Sequence, residues 1–415
     1  MSEHRPPTII CLATYFKGGD FIRECKRLGC RVILITKEKM LHEDWPRDSL
    51  DDLIAVPNDA GPALMIDLTA FIARKMKVDR VVALEEFDVM TAALVREHFC
   101  LPGMSSSTAK TFRDKFRMAE AAKAAGIVVP EYVPLINADD MRAFMARVPS
   151  PWIIKPRSDV SAIGIRKVNC EDEVWNWVGE MNERENLRER ASYYLLAQFV
   201  AGEVFHVDSL VLDSRVLFAG VNRYGRPPLE VAHGGGTYVS RSVARRSDDE
   251  KELLKINRKL VKALKHERGA AHAEFIKSEA DGHFYFLEIA ARVGGAYIAD
   301  VLEAASGLNL WREWARMEVA DAGVASETAH RPGVNKITPL RNDYAGIVLS
   351  LSKQETPDTS AYDDPEIVYR VKKLHHAGLI VRSKKLERVE ELLTQYATRF
   401  AEDFVAVVPP LEKAE

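Results

Sequence analysis

Apolar residues in the first quarter of the chain fall into two alternating patterns. Short continuous apolar runs predict buried strands, and runs spaced by three and four residues predict helices between them. The predicted strands are Thr8–Ala13, Arg31–Ile35, Leu53–Val56 and Arg80–Leu84, and the predicted helices are Asp20–Leu28, Pro62–Met76 and a helix that ends at His98. Because strands that alternate with helices form parallel sheets, residues 1–107 are predicted to be a doubly wound α/β domain.

The pattern changes after the loop at residues 101–107. One long helix and then a small α/β unit are predicted, followed by a mostly β region that ends in a hairpin. The predicted helices are Thr108–Ala125, Ala138–Arg147, Cys170–Arg190 and Asp248–His266, and the predicted strands include Trp152–Pro156, Tyr194–Phe199, Val204–Leu212, Arg215–Asn222 and Gly346–Leu351. We predict segments 108–202, 203–320 and 321–415, and a fold class that combines α/β and α+β.

The stretch from His272 to Arg292 reads as a hairpin with Asp281-Gly282 in its turn. If residues 280–282 form the loop, with Gly282 left-handed, Glu279 pairs with His283. Counting outward, Glu274 then lies opposite Glu288.

Opposed side chains in an antiparallel pair share a face, with Cβ atoms about 4.5–5.5 Å apart. Two carboxylates that close repel unless a positive group lies between them, and a hard divalent cation such as Mg²⁺ suits their oxygens. Arg292 lies further along the face of Glu288 and suits a phosphate. The alternative is a solvated glutamate pair neutralised by a residue such as Lys277, and the hairpin alone does not decide between the two.

Composition narrows the class of protein. The chain has 415 residues, of which 47% are hydrophobic and 29% charged, with a formal net charge of −3. This balance gives no basic surface for nucleic acid or anionic membrane. No apolar run approaches the ~20 residues that span a bilayer, and the N-terminus lacks a signal-peptide pattern. The five cysteines form no Cys-x-x-Cys motif. We therefore expect a cytoplasmic protein without nucleic-acid or membrane partners.

Three further segments carry candidate chemistry, each weak alone. Lys155 lies at the end of a predicted strand and precedes a polar loop, a position from which a lysine can hold phosphates. The alternative is a surface lysine beside a turn, which would have the same sequence pattern. The bend from Gln198 to Glu203 offers extended backbone to an adenine edge, and Glu203 could accept from ribose hydroxyls; an ordinary corner between strands is the alternative. Lys115 on its predicted helix would alone be taken as solvated.

The order of these segments resembles the ATP-grasp superfamily. The series Asp-Lys, Gly-Ile-Val-Val-Pro, Ile-Ile-Lys-Pro, a Ser/Gly loop, Gln-Phe-Val-Ala-Gly-Glu, Ala-Glu-Phe and Leu-Glu-Ile-Ala-Ala-Arg carries the resemblance over roughly residues 1–320. It implies an ATP-grasp fold with a mobile lid, and ATP and Mg²⁺ (or Mn²⁺) as cofactors. The residues implied are Lys115 and Lys155 for ATP phosphates, Ser161–Gly164 for the lid, Gln198, Phe199 and Val200 for adenine, Glu203 for ribose, Glu274 and Glu288 for the metal, and Arg292 for the γ-phosphate and acyl phosphate.

Two positions depart from the superfamily pattern. Gln198 stands where Glu is usual, and it keeps a carbonyl acceptor for adenine. Ala290 stands where Asn commonly supplies a third metal contact, which leaves open a weakened or inactive catalyst. The segment Glu288-Ile-Ala-Ala-Arg-Val-Gly-Gly295 looks most like carboxylate–amine ligases that join amino acids.

The predicted substrates are small carboxylates and amines, and dimers are frequent among such relatives, so a homodimer is a further expectation. Gly294 and Gly295, before a predicted helix at Ala296–Ala305, would offer backbone N–H groups to a carboxylate, although a tight turn needs the same glycines. His233, in a predicted Gly-rich loop at residues 233–236, is a candidate for the amino-acid pocket or an exposed hairpin tip. A ligase for another amine or a natural-product intermediate is the alternative function.

Overall fold

The structure is a computed structural model that describes residues 5–159, 163–186, 189–322 and 336–406. Within these residues, none of the helices combines the length and the apolar character needed to cross a bilayer. The five cysteines are free thiols, and Cys11, Cys25 and Cys30 are buried.

The N-terminal domain is built on a parallel sheet, as predicted. Its strands are β1 (Thr8–Leu12), β2 (Arg31–Lys37), β3 (Asp52–Val56) and β4 (Arg80–Ala83), and its helices are α1 (Gly19–Arg27), α2 (Pro62–Ala73) and α3 (Val89–His98). The strand order is β3-β2-β1-β4, so the carboxyl ends of β1 and β4 lie side by side. The continuous burial of β1 and β4 explains why their sequences read as unbroken apolar runs.

A second, antiparallel sheet follows, with strand order β5-β8-β6-β7. Its elements and the helices before it are α4 (Ser106–Arg113), α5 (Lys115–Ala124), β5 (Tyr132–Pro134), α6 (Ala138–Arg147), β6 (Trp152–Pro156), β7 (Arg166–Val168), α7 (Glu171–Asn182) and β8 (Tyr194–Gln198). The bounds of α6 and β6 are those predicted. The predicted helix Thr108–Ala125 is wrong, because Asp114 adopts an extended conformation and divides it into α4 and α5.

The largest sheet is antiparallel and runs in the order β13-β12-β9-β10-β11-β14-β16-β15. Its elements and the helices that pack on it are β9 (Gly202–Leu212), β10 (Arg215–Tyr224), α8 (Pro228–Gly234), β11 (Tyr238–Ser242), α9 (Asp248–Ala263), β12 (Arg268–Ser278), β13 (Phe284–Ala290), α10 (Ile298–Ser306), α11 (Leu310–Asp321), β14 (Tyr344–Leu351), β15 (Ile367–Arg370), β16 (His376–Ser383) and α12 (Leu386–Asp403). The strands of the last two predicted segments therefore share one sheet. The predicted segment boundaries themselves stay a prediction.

The β12–β13 hairpin has the predicted pairing of Glu274 with Glu288 but a different turn. The Ser278 N–H donates to the His283 carbonyl at 2.9 Å, so residues 279–282 form the loop and the predicted Glu279–His283 pair is wrong. Gly282 is left-handed, with φ of 73°. A register shift beside Leu287 adds one residue to β13, so Glu274 still lies opposite Glu288 despite the longer loop. Such β-bulges are frequent near functional sites.

Candidate active site

Glu274 and Glu288 lie opposite each other on neighbouring strands of the largest sheet, as the sequence predicted. Glu288 is on the edge strand β13, and its side chain is 37% exposed. Glu274 is on the next strand inward, and its side chain is 17% exposed. Burial acts to raise the pKa of Glu274, but its hydrogen-bond donors, with His272 the strongest of them, together outweigh burial and lower it. The hairpin thus presents two carboxylates on one face.

Two lysines approach this hairpin from the second sheet and from α5. Lys115 Nζ lies 3.0 Å from Glu288 Oε2 and donates to the Asp159 carbonyl at 2.7 Å. Lys155 extends from β6, and burial together with the charge of Lys115 lowers its pKa from 10.5 to about 8. The break before α5 is what directs Lys115 here, since its backbone N–H bonds the Arg157 carbonyl at 2.7 Å. The two lysines and Glu288 therefore form one electrostatic group.

Arg292 is partly buried, with its side chain 13% exposed, and is paired with the N-terminal domain. Its Nε and Nη2 atoms donate to Glu86 Oε2 at 3.1 and 2.9 Å. The other oxygen of Glu86 accepts from Arg113 at 2.5 Å. Burial lowers the pKa of Arg292, but Glu86 and its acidic neighbours outweigh burial and raise it. Glu86, in the turn that follows β4, is a residue that sequence reasoning missed, although an acidic pair soon after a buried parallel strand is a recognisable signal.

The bend between β8 and β9 has the shape expected of a hinge, but its polar side chains already have partners. The Gln198 Oε1 atom accepts from the Glu131 N–H at 3.2 Å. Glu203 forms an ion pair with Arg223. Phe199 lies under Lys167, whose Nζ atom is 4.0 Å from the ring centroid. Val200 packs at the edge of an apolar cluster with Val204, Ile276, Tyr285 and Leu287. This half-buried apolar patch suits a flat aromatic ligand.

The polar loop after β6 borders a wide cleft. Gly164 is left-handed, with φ of 69°, and lines the cleft; Ser161 lies outside the described residues. The cleft has a volume of about 2350 Å³ and is also lined by Arg157, Tyr238 and Ala296. Arg157 is anchored to Asp114 through Nε and Nη2 at 3.1 and 2.6 Å.

The three residues predicted for the substrate lie in two places. His233 belongs to α8 rather than to a loop, so that part of the prediction is wrong, and its side chain lies outside the described part of the chain. Gly294 is a close-approach position, since a Cβ atom there would lie 2.8 Å from Asp208 Oδ1 and 3.0 Å from His272 Nδ1. Gly295 faces open space. The helix after them begins at Ile298, two residues later than predicted, because Ala296 and Tyr297 are both left-handed.

Comparisons with known proteins agree with this arrangement. Residues 112–296 match a family model described as an ATP-grasp domain. The chain contains an ATP-grasp domain. This segment holds the two lysines, the hinge, both glutamates and Arg292, which are the positions on which the sequence resemblance rested.

Whole-chain comparisons extend the likeness beyond the ATP-grasp domain. The chain is 23% identical over 275 residues to an L-arginine-specific L-amino acid ligase of Bacillus subtilis, an alignment that covers 65% of this chain and 64% of that protein. The chain thus spans slightly less than two thirds of this curated relative. The L-amino acid ligase of Bacillus licheniformis has a similar fold, with a TM-score of 0.73, 17% identity and coverage of 97% of this chain and 99% of that one.

A biotin carboxylase domain gives a third comparison. The domain from the 2-oxoglutarate carboxylase of Hydrogenobacter thermophilus, solved as a dimer with MgADP, ADP and bicarbonate, has a TM-score of 0.70 and 17% identity, and covers 97% of this chain and 91% of that chain. At these identities the likeness to solved structures concerns the fold, which is that of ATP-grasp enzymes.

The residues of the ATP-grasp domain fit a hard divalent cation. The two opposed side chains supply oxygen atoms only, and the ammonium of Lys115 already contacts Glu288 Oε2, so this face attracts positive charge. Ala290 is 6% exposed and pairs with His272 across the strands. Its methyl group offers no oxygen to a cation. A cation held by Glu274 and Glu288 would complete its coordination with water or phosphate oxygens.

Behind Glu274 lies a group of buried polar residues that the sequence analysis did not single out. His206 and Asp208 alternate along β9 and pair in register with Glu274 and His272 on β12. The available signal was the spacing of two residues between His206 and Asp208 and between His272 and Glu274, because that spacing places them on one face of the sheet.

Proposed function

We propose that this protein is an ATP-dependent, ADP-forming carboxylate–amine ligase that joins amino acids or amino-acid-like substrates through an acyl phosphate. The observation that carries the proposal is the Glu274–Glu288 pair with Lys115 in contact and Lys155 beside it. Opposed carboxylates with lysines beside them suit a metal–nucleotide phosphate group. The relationship to an L-amino acid ligase supports the choice of substrates.

The chain's own residues account for the first half of the reaction. Lys115 and Lys155 offset the negative charge that keeps a carboxylate away from ATP, and a divalent cation at Glu274 and Glu288 would supply further charge neutralisation on the phosphates. A carboxylate oxygen attacks the γ-phosphorus in line, the bond to the β–γ bridging oxygen breaks, and ADP leaves. Arg292, held by Glu86, is assigned to the charge of the transferred phosphoryl group.

The second half of the reaction forms the amide. The amine attacks the acyl carbon, the bond from carbon to the phosphate oxygen breaks, and phosphate leaves while the nitrogen loses a proton. Water would hydrolyse the acyl phosphate, so we assign the loop after β6, which carries Gly164 and Ser161, to closing the cleft. Gly295, Gly294 and His233 are assigned to the amino-acid side of the cleft, and Gln198, Phe199, Val200 and Glu203 to adenosine.

The test is phosphate release from ATP and Mg²⁺ across pairs of amino acids, starting with pairs that contain L-arginine because of the named relative. We expect release above the background without amine for at least one pair, with stoichiometric ADP and a dipeptide mass. If amino acids fail and other amines succeed, the substrate assignment is wrong and the ligase assignment stands. ATP binding without release for any pair would overturn the ligase.

Ala290 favours one second candidate, a nucleotide-binding protein with weak or lost catalysis. Its methyl group occupies the position at which related enzymes commonly place an Asn ligand. The variant Ala290→Asn distinguishes the candidates: a large gain of phosphate release from an otherwise inactive protein would support lost catalysis, whereas an active parent with little change excludes it.

We further propose that the protein is cytoplasmic and that it forms a homodimer. The segment boundaries 1–107, 108–202, 203–320 and 321–415 are likewise proposals. Light scattering of the purified protein tests the dimer directly. A mass of one chain, 46.6 kDa, at working concentration would contradict it.

A further inference from the structure

A row of mostly buried polar side chains crosses the largest sheet on the face that carries Glu274. The row starts on β11, passes through β9 and β12, and ends on β10. Its members, in the order of their contacts, are Ser240, His206, Asp208, His272, Glu274 and Tyr224. Ser240, His206 and Asp208 are at most 1% exposed. Apart from Glu274, these residues have no role in the proposed function.

Asp208 is the centre of the row. Its Oδ2 atom lies 2.6 Å from His206 Nδ1, and its Oδ1 atom lies 2.9 Å from His272 Nδ1. The far nitrogen of His206 lies 2.7 Å from Ser240 Oγ. Burial raises the pKa of Asp208, but the two imidazoles outweigh burial and lower it. Each oxygen of this carboxylate thus has its own imidazole, and each imidazole has its orientation fixed at both nitrogens.

At its other end, the row contacts one oxygen of Glu274. His272 Nε2 lies 3.3 Å from Glu274 Oε1, and the Tyr224 hydroxyl donates to the same Oε1 at 2.6 Å. Two donors on one carboxylate oxygen fix the rotation of the whole group and direct the other oxygen, Oε2, away from them. The loop at Gly294 lies directly on the Asp208–His272 pair, where a Cβ atom would lie 2.8 Å from Asp208 Oδ1.

We propose that Tyr224, His272 and Asp208 are positioning residues that hold Glu274 Oε1 and so present Oε2 to the divalent cation. The inference rests on the metal role of Glu274 in the proposed function. Metal-binding side chains are commonly oriented by hydrogen bonds from residues behind them, and loss of such a partner costs about 10–100-fold in metal affinity. A purely structural role would instead alter the stability of the fold and leave metal affinity unchanged.

His206, Asp208 and His272 could also be taken as a metal site, since their candidate ligand atoms lie within 4.8 Å of one another. Their contacts argue otherwise. Both oxygens of Asp208 already face imidazole nitrogens at hydrogen-bond distance, and the far nitrogens of the two imidazoles face Ser240 and Glu274. The row is therefore complete as a set of hydrogen bonds.

The experiment measures Mn²⁺ binding to the full-length protein with ADP by electron paramagnetic resonance, without turnover. Tyr224→Phe removes one hydroxyl and is expected to raise the Mn²⁺ dissociation constant about tenfold. His272→Asn keeps an amide near the Nδ1 position, for Asp208, and loses the donor to Glu274; we expect a similar rise. His272→Gln places an amide near the Nε2 position and should restore affinity to within about threefold of the parent.

Ser209→Ala is the matched control. Ser209 follows Asp208 on β9, is fully buried on the other face of the sheet and accepts from Asn257 at 2.7 Å. The variant therefore loses a buried hydrogen bond without touching the row, and its Mn²⁺ affinity should equal that of the parent.

The outcomes distinguish failure of the positioning role from failure of the proposed function. If the parent binds Mn²⁺ with ADP and both Tyr224→Phe and His272→Asn bind it equally well, the positioning role is overturned while the proposed function stands. If the parent binds no Mn²⁺ with ADP, the metal role of Glu274 fails and the proposed function fails with it. Stoichiometric zinc in the purified protein by mass spectrometry would show a metal centre at the histidines and would also overturn the inference.

Discussion

Glu274 and Glu288 occupy opposed positions on adjacent strands but have different surroundings. Glu274, on an interior strand, is held by the buried donors Tyr224 and His272. Glu288, on the edge strand, is more exposed and contacts Lys115, a long side chain that also reaches the backbone of the loop after β6. One carboxylate is fixed by the core, and the other is held by a cation that a metal–nucleotide complex can displace. Under the proposed function, Glu274 would be a fixed ligand of the cation and Glu288 an exchangeable one.

The largest effect on turnover should come from a substitution of Glu288, the more exposed glutamate of the pair. Glu288→Ala removes a proposed metal ligand, and loss of several kcal/mol of charge stabilisation corresponds to a fall in kcat/KM of about 1000-fold or more. Because Glu288 is partly exposed on an edge strand, the melting temperature should stay within about 2 °C of the parent. Coupled measurement of ADP release and thermal unfolding checks both parts. Retained turnover would show that the metal assignment is wrong.

Glu274→Ala tests the fixed side of the comparison. It should lose turnover to the same extent, but it also leaves the buried His272 and Tyr224 donors without their acceptor. Breaking a buried charged pair from one side costs about 3 kcal/mol of unfolding free energy. Urea denaturation of Glu274→Ala and Glu288→Ala, side by side, measures the difference. Equal stabilities would mean that the two glutamates are held alike.

The two adjacent glycines offer a smaller contrast of the same kind. Gly294→Ala places a methyl group against Asp208 and His272, and overpacking of this kind costs about 1–3 kcal/mol. Gly295→Ala meets open space and should be close to neutral in stability. Unfolding of both variants, together with Mn²⁺ affinity for Gly294→Ala, checks whether strain on Asp208 reaches the metal site. A neutral Gly294→Ala would show that the loop does not seal the row.

The smallest expected effect concerns a proton on Lys155. Its pKa of about 8 means that the ammonium is present below that pH and is lost as pH rises through it. Phosphates bind the ammonium, so nucleotide affinity should fall above about pH 8, and binding at about pH 9 should take up a fraction of one proton. Calorimetry of ADP binding in buffers of different ionisation enthalpy measures this uptake. Lys155→Arg, which stays charged, should abolish it, and uptake that persists in Lys155→Arg would assign the proton to another group.

Much of this architecture was predictable because it is local. The parallel N-terminal sheet, the bounds of α6 and β6 and the opposed glutamates follow from periodicity and from counting within one hairpin. The resemblance to ATP-grasp proteins, based on the order of short motifs, was confirmed.

The errors share a different cause. The count to Glu288 was right although the loop was wrong by one residue, because the bulge beside Leu287 compensates. The break at Asp114 depends on Arg157, far along the chain, which binds its carboxylate. The contacts of Asp208 with His272, and of Arg292 with Glu86, join segments 64 and 206 residues apart. Such pairs depend on tertiary register, which the local pattern does not contain.

The position of Glu86 bears on domain exchange. This single carboxylate accepts hydrogen bonds from Arg113 and Arg292, so the N-terminal domain contributes a counterion for two largely inaccessible arginines of the ATP-grasp domain. A chimera that takes its first hundred residues from a relative without an acid at this position would leave both guanidinium groups without this hydrogen-bonded counterion. Transplantation of the N-terminal domain therefore requires Glu86 to be carried along, and restoring that one residue in a failed chimera is the first repair to attempt.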